Sequence, residues 1–220
     1  MSVLKYFKEF KNSINFLDIG ASGGPEAKWK NLFEYISYTA FEPNKESFEK
    51  IQTELKGKFN KLHLFDFALS DFNGDAPLFI TSSEYCCSML KPNEKWLSRF
   101  EFRKLFEVQG KTTVCVRRLD SLNDLHNQNF DIIKIDVQGA ELKVMNGGLN
   151  FFKQAFLIET ESGFTENYIG ESRFDQIATR MIENNYLLFD LNYNHRIPRS
   201  SFPFQHSTNN AQPLWCEATW

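Results

Sequence analysis

FLDIGASGG, residues 16–24, is a short apolar run of strand type that breaks into a glycine-rich turn. Phe16, Leu17 and Ile19 supply the run, Asp18 interrupts it, and Gly20, Gly23 and Gly24 allow a tight turn and close approach of a ligand to the backbone. Such a turn belongs at the carboxyl end of the first strand of a parallel α/β sheet, where a nucleotide-like cofactor sits. A glycine-rich turn after a strand is also ordinary turn chemistry, so its meaning depends on the residues around it.

Downstream, Pro25 suits a first helical position, and Glu26–Tyr35 places Trp29, Leu32 and Phe33 on one helical face. Tyr38–Phe41 reads as a second strand ending in Glu42-Pro43-Asn44, with Lys45–Leu55 as the following helix. Leu62–Leu69 reads as a third strand, and the turn Asp71–Gly74 leads into Ala76–Thr81, which predicts an antiparallel hairpin. From 82 to 110 the regularity weakens, although Glu94–Phe106 is helix-friendly; this segment is expected to be a lid or insertion over a site. Lys111–Arg118 alternates like a half-exposed strand, and Asp131–Asp136 is a compact apolar strand ending in an acid. A helix from Ala140 to Asn146 closes on Gly147-Gly148. Ala155–Glu159, Tyr186–Leu191 and Leu214–Trp220 read as strands, Arg173–Asn184 as a helix, Asn192–Pro213 as a loop, and Met1–Asn12 as a short amphipathic helix. The alternation predicts one α/β domain over residues 1–220, with an open, mostly parallel sheet.

Composition narrows the function classes. A net charge of −3 gives no general attraction to nucleic acid or to an anionic membrane surface. No apolar run approaches the roughly 18–20 residues of a spanning helix, and Met1–Lys11 lacks the apolar core of a signal peptide, so a cytoplasmic protein with no membrane span is expected. Cys86, Cys87, Cys115 and Cys216 form no metal-ligand spacing and read as reduced thiols, and four scattered histidines show no zinc pattern. Twenty-three phenylalanines predict a Phe-filled core with some aromatics left to line a cleft.

Glu42 follows Gly20 by 22 residues, where doubly wound folds place the carboxylate that accepts from ribose hydroxyls. GASGG departs from the G-x-G-x-x-G fingerprint of a pyrophosphate site, since the third glycine position falls on Pro25; a phosphate-free nucleoside such as S-adenosylmethionine fits better. The candidate cofactor residues are Asp18, Gly20, Ala21 and Gly24 at the turn, Glu42 with Pro43, Asp66 with Ala68 at the third strand, and Asp136. Asp18 either reaches the methionyl end of the cofactor or simply fixes the turn, and Asp66 is expected beside the adenine amine. Asp136 ends the central fourth strand across the crevice; it is the first candidate for assisting an incoming hydroxyl, and its plainer reading is a cap for loop amides. Glu159 and Glu161 follow the next strand with one expected to face the pocket, and a hard divalent ion between Asp136 and Glu159 is a further expectation. Glu141 reads as a helix-dipole partner rather than a catalyst, and His195 as a candidate base.

Taken together, FLDIGASGGPEAKW, YTAFEP, DFALSDFNGDAPLF, VRRLDSL and above all IIKIDVQGAELKVMNGG resemble the FkbM family of methyltransferases from about Asn15 to the C-terminus. The resemblance implies a class I methyltransferase fold, a Rossmann-like seven-stranded sheet with an antiparallel last strand and helices on both faces. It also implies S-adenosylmethionine-dependent O-methylation of a sugar, glycan or natural-product hydroxyl. Asp18, Gly20 and Gly24 match its first motif, Glu42 the ribose acid, Asp66 the adenine-side position and Asp136 the fourth-strand acid; the turn departs from the commoner DVGANxG form at Ser22, Gly23 and Pro25. Two other readings share the architecture. One is a catalytically silent adenosyl-binding module, and the other is an NAD(P)-dependent oxidoreductase, which the turn spacing and the lack of a Tyr-x-x-x-Lys pair oppose. Tyr85, Trp96, Arg99, Phe164, Tyr168, Tyr193 and His195 are candidates to line an acceptor pocket.

Overall fold

A computed structural model describes residues 13–126, 128–200 and 211–220. The helix expected at Met1–Asn12 and part of the loop expected at Asn192–Pro213 lie outside the described residues. The opening stretch forms β1 (Ile14–Ile19), whose alternation sends Phe16 and Asp18 to one face of a sheet and Leu17 and Ile19 to the other. β2 (Ile36–Phe41) and β3 (Lys61–Phe65) extend the sheet on one side in parallel, connected by α1 (Lys45–Leu55). Asn44 caps α1, its side chain accepting from the Glu46 and Ser47 amides at 3.0 and 3.3 Å. The helix expected at Glu26–Tyr35 is a 3-10 helix over Ala27–Tyr35.

The third strand differs from its reading. Leu62–Leu69 is not continuous, because β3 ends at Phe65 and β4 (Ala68–Leu69) joins a second sheet of order β4-β6-β5. There β5 (Gly74–Thr81) pairs antiparallel with β6 (Val108–Arg117), while β4 pairs parallel with β6, so the hairpin partner of Ala76–Thr81 is a strand that lies beyond the intervening segment. That segment contains α2 (Glu94–Leu97) and a 3-10 helix at Glu101–Phe106, so the helix-friendly stretch Glu94–Phe106 divides at Ser98–Phe100.

β7 (Ile132–Ile135) pairs parallel with β1, and β8 (Leu157–Gly163) pairs parallel with β7. Between them stand α3 (Glu141–Gly147) and α4 (Leu149–Phe152). After β8 come α5 (Phe174–Glu183), the edge strand β9 (Asp190–Asn192), a small ladder of β10 (Arg196–Ile197) with β11 (Gln212–Pro213), and β12 (Trp215–Thr219). β12 inserts antiparallel between β8 and β9 and completes a seven-stranded sheet of order β3-β2-β1-β7-β8-β12-β9. This is the α/β class, sheet and antiparallel last strand that the sequence implied. No helix of the described residues is long and apolar enough to cross a membrane.

Both faces are covered. Leu17, Ile19, Ile133, Ile135 and Ile158 pack with Val144, Ile177 and Met181 from the helices of the second half. On the opposite face Phe16, Tyr38 and Ile132 pack with Ile51 and Leu55 of α1 and with Trp29 and Phe33. Ring contacts use the phenylalanines heavily: Phe41 stacks on Phe65 at 4.8 Å and meets Phe67 edge-on at 5.3 Å.

Parallel register puts a row of charges across the second face. Asp18 of β1 stands beside Lys134 of β7, and Lys134 beside Glu159 of β8. The Lys134 ammonium, 16% exposed, lies 3.2 Å from Asp136 and 3.8 Å from Asp18. Burial pulls its pKa down, but Asp136 and Asp18 outweigh that and hold it protonated above the ordinary lysine value. Asp18 is fully buried, and the Tyr38 hydroxyl donates to its Oδ2. Replacing Lys134 by Met leaves these carboxylates without a counter-ion. In urea unfolding it is expected to lower stability by about 3–5 kcal/mol, with partial recovery when Asp18→Asn is added.

Candidate active site

The carboxyl ends of β1, β2, β7 and β8 open into a cavity of about 400 Å³. Gly20 forms its inner corner with φ +83°, and a Cβ there would stand 1.8 Å from the Asp136 carbonyl oxygen. Only glycine lets the turn cross so close to the end of β7. The turn is tied down by the amides of Gly20 and Ala21, both donating to the Phe41 carbonyl at 3.0 and 3.1 Å. Gly20, Ser22, Glu42, Pro43 and Ala68 reach the cavity wall. Ala21 is buried behind the turn, and Gly24, which faces Leu55, closes the turn through its amide to the Ala21 carbonyl at 2.9 Å.

Two expected cofactor residues stand elsewhere. Asp18 lies with Tyr38 and Lys134, off the cavity wall. Asp66 is exposed and off the wall, because the chain leaves the main sheet after Phe65, whose carbonyl accepts from the Glu42 amide at 3.0 Å; Phe67, Ala68 and Leu69 turn inward in its place.

Glu42 is 5% exposed. Burial pushes its carboxyl up to about 7, against the Asn44 amide that donates to its Oε1 at 2.7 Å.

On the far side, Asp136, Gln138, Glu161 and Tyr168 form one hydrogen-bonded group, with Glu141 beside it. The Gln138 side-chain amide donates to Asp136 Oδ1 and to Glu161 Oε1, each at 2.9 Å, and the Tyr168 hydroxyl stands 2.9 Å from Gln138 Oε1. Gln138 itself has φ 54°, a conformation uncommon outside glycine, and the Ser88 hydroxyl donates to its carbonyl at 2.7 Å. Glu141 folds back and accepts from the Val137 and Gly139 amides at 3.1 and 3.0 Å, which gives it the loop-capping role the sequence suggested for Asp136. Burial raises its pKa to about 8.

The expected catalytic set is redistributed. Asp136 lines the cavity, but Glu159 does not: it accepts from Lys28 at 2.7 Å, and Glu161 lines the cavity in its place. His195 stacks on the outer side of Trp215 at 4.9 Å, with Nε2 3.3 Å from Glu217, and does not reach the wall. Of the acceptor candidates Tyr85 and Tyr168 line the cavity, whereas Trp96, Arg99, Phe164 and Tyr193 do not. Asp136 and Glu159 do not fit a shared divalent ion, since lysine ammonium groups stand at both carboxylates, Lys134 at Asp136 and Lys28 at Glu159. Gln138 escaped sequence reasoning, although it sits inside KIDVQGAE; a glutamine between an acid and a glycine carries no chemistry until its partners are placed.

The segment between β5 and β6 supplies Ser83 through Met89, Phe102, Leu105 and Phe106 to the wall. It is anchored by the Lys50–Glu84 pair at 2.9 Å, by Tyr85 against Gly23, and by two backbone bonds with the loop after β8, the Asn93 amide donating to the Asn167 carbonyl and the Ile169 amide donating to the Lys91 carbonyl, each at 2.8 Å.

Glu42 opposes folding where it is ionised. Its folded pKa of about 7 lies above the ordinary 4.5, so the native state binds this proton more tightly than the unfolded chain, and stability falls as pH rises from 4.5 to 7. Glu42→Gln is therefore expected to be more stable than the parent by about 1–3 kcal/mol at pH 8 and near parity below pH 5, measured by urea unfolding.

The 2-O-methyltransferase NoeI of Sinorhizobium fredii is 26% identical to this chain over 163 residues, 70% of the chain; the chain spans 65% of that relative's length. Two solved structures resemble the chain in overall trace. The precorrin-6y C5,15-methyltransferase of Geobacter metallireducens GS-15 matches with a TM-score of 0.46 and 12% identity, covering 99% of this chain and 84% of that one. A TehB-like S-adenosylmethionine-dependent methyltransferase of Corynebacterium glutamicum matches with a TM-score of 0.43 and 9% identity, covering 97% and 83%. The methyltransferase FkbM domain matches residues 18–188, from the acid beneath the glycine turn through the KIDVQGAE segment that builds the cavity's far side, and the chain belongs to that family.

Proposed function

We propose that this chain transfers a methyl group from S-adenosylmethionine to a hydroxyl of a sugar, glycan or natural product. The observation that carries the reading is Glu42, a nearly buried carboxylate at the end of β2 that faces the cavity beside the glycine turn of β1. A carboxylate there accepts from vicinal ribose hydroxyls, and the adjoining Pro43, Phe67 and Ala68 offer apolar surface to an adenine. S-adenosylmethionine supplies a methyl group already activated on a sulfonium. The acids of the opposite wall suit that positive charge, and the 82–107 segment adds Phe102, Leu105 and Phe106 to the wall. Membership of the FkbM family and the likeness to a 2-O-methyltransferase support an oxygen acceptor. The protein's own contribution is alignment of the acceptor oxygen and removal of its proton.

Calorimetric titration with S-adenosylmethionine and with NADH tests the cofactor; tight NADH binding without binding of the sulfonium overturns the reading. Incubation of cell extract with isotopically labelled S-adenosylmethionine then tests transfer, and binding without any labelled product favours the silent module. Glu42→Ala is expected to weaken S-adenosylmethionine by about 1–3 kcal/mol, and an unchanged affinity removes Glu42 from the site. Ribose hydroxyls bond the ionised form, so affinity for the parent protein is expected to rise as pH increases through about 7, and this dependence disappears in Glu42→Gln.

A further inference from the structure

Away from the glycine turn the cavity runs between the 82–107 segment and the loop after β8. Phe102 stacks on Trp215 at 6.0 Å, Phe106 meets Tyr168 at 5.6 Å, and both pairs share the wall with Glu161. Gln138 is oriented by its partners. Its carbonyl oxygen faces the Tyr168 hydroxyl, so its NH₂ points at both acids. The two acids then differ. Asp136 has one oxygen on Gln138 and the other 3.2 Å from the Lys134 ammonium. Glu161 has Oε1 on Gln138, while no described residue donates to its Oε2. The cavity wall carries Glu42, Glu84, Asp136, Glu141, Glu161 and Glu171, and among the described residues it has no lysine, arginine or histidine.

We propose that this end of the cavity is a subsite for an uncharged hydroxyl compound, in which Glu161 takes the acceptor's proton and Gln138 is its positioning residue. The proposal rests on the methyl-transfer reading above. As the acceptor oxygen forms its bond to the methyl carbon, the carbon–sulfur bond breaks and the sulfur keeps that electron pair as a neutral thioether. The hydroxyl proton passes to Glu161 Oε2 and later to solvent, so charge and atoms balance. A phosphate or carboxylate on the acceptor would meet Asp136 and Glu161 without a cation on the wall, whereas a neutral ring meets Trp215, Phe102 and Phe106.

The surroundings of Glu161 set the pH dependence. Burial, then Asp136 and Glu141, raise its carboxyl well above the ordinary range, opposed by Lys134 and the Gln138 amide; Tyr168, Cys86 and Cys216 face it from the other elements. The proton acceptor is thus occupied at low pH and freed as pH rises.

The test divides cell extract on an anion exchanger and offers each fraction, with isotopically labelled S-adenosylmethionine, to the parent protein, Glu161→Gln and Gln138→Asn. Label is expected in the unretained fraction with the parent. Glu161→Gln should bind S-adenosylmethionine within about twofold of the parent by calorimetry yet transfer roughly 100-fold or more slowly, without the parent's fall in rate at low pH. Gln138→Asn tolerates the same backbone but cannot span both acids; it should keep cofactor affinity and move the low-pH limb to higher pH, because the hydrogen bond that favours the ionised Glu161 is lost. Label confined to the retained fraction, or parental rates and pH profile in Glu161→Gln, overturns the inference. Cofactor binding by the parent with no label in either fraction overturns the transfer reading and the inference with it, while loss of cofactor binding in Glu161→Gln assigns that residue to the cofactor instead.

Discussion

The architecture of the site depends on one buried ammonium. Lys134 sits in the middle of the sheet face with Asp18 on the neighbouring strand and Asp136 at the end of its own, and Glu159 is next in register on β8. An isolated charge in this position would be expelled or neutralised, and so would the acids. Together they hold the ends of β1 and β7 at the separation that lets Gly20 pass against the Asp136 carbonyl. The glycine turn and the KIDVQGAE loop are therefore two sides of one electrostatic arrangement rather than two independent motifs.

The cavity above that arrangement is held in a state unfavourable for folding. Glu42, Glu141 and Glu171 all have carboxyl groups raised by burial, to about 7, 8 and 7. Acids kept out of water without full partners reduce stability, and they persist where a ligand completes them. A cationic sulfonium and ribose hydroxyls are complementary to such a wall, and the surrounding sheet supplies the stability that the wall lacks.

Legibility followed the range of the interactions. Strands with apolar alternation, the helix Lys45–Leu55 and the Glu42 position are local patterns, and each was readable from the chain. Leu62–Leu69 looked continuous because an exposed Asp66 between Phe65 and Phe67 keeps strand-like composition; the break appears only because β4 finds β6 in another sheet. The choice between Glu159 and Glu161 had the same character. Both project to one face by strand period, and Lys28, more than 100 residues earlier, claims Glu159. His195 was singled out by residue type alone, and a stacked Trp215 separates it from the cavity.

By itself the sequence determined the α/β class, the glycine turn, the place of Glu42 at the end of the second strand and the family, because these rest on spacing within tens of residues and on motifs that strand and turn geometry require. Only the tertiary structure decided which acids meet and in what order. Parallel register brought Asp18, Lys134 and Glu159 side by side, the Gln138 backbone turned one amide toward two carboxylates, and the 82–107 segment brought Phe102 and Phe106 to the same cavity wall. Those contacts join residues distant in the chain, and no local pattern encodes a charge balance that exists only when β1, β7 and β8 lie together.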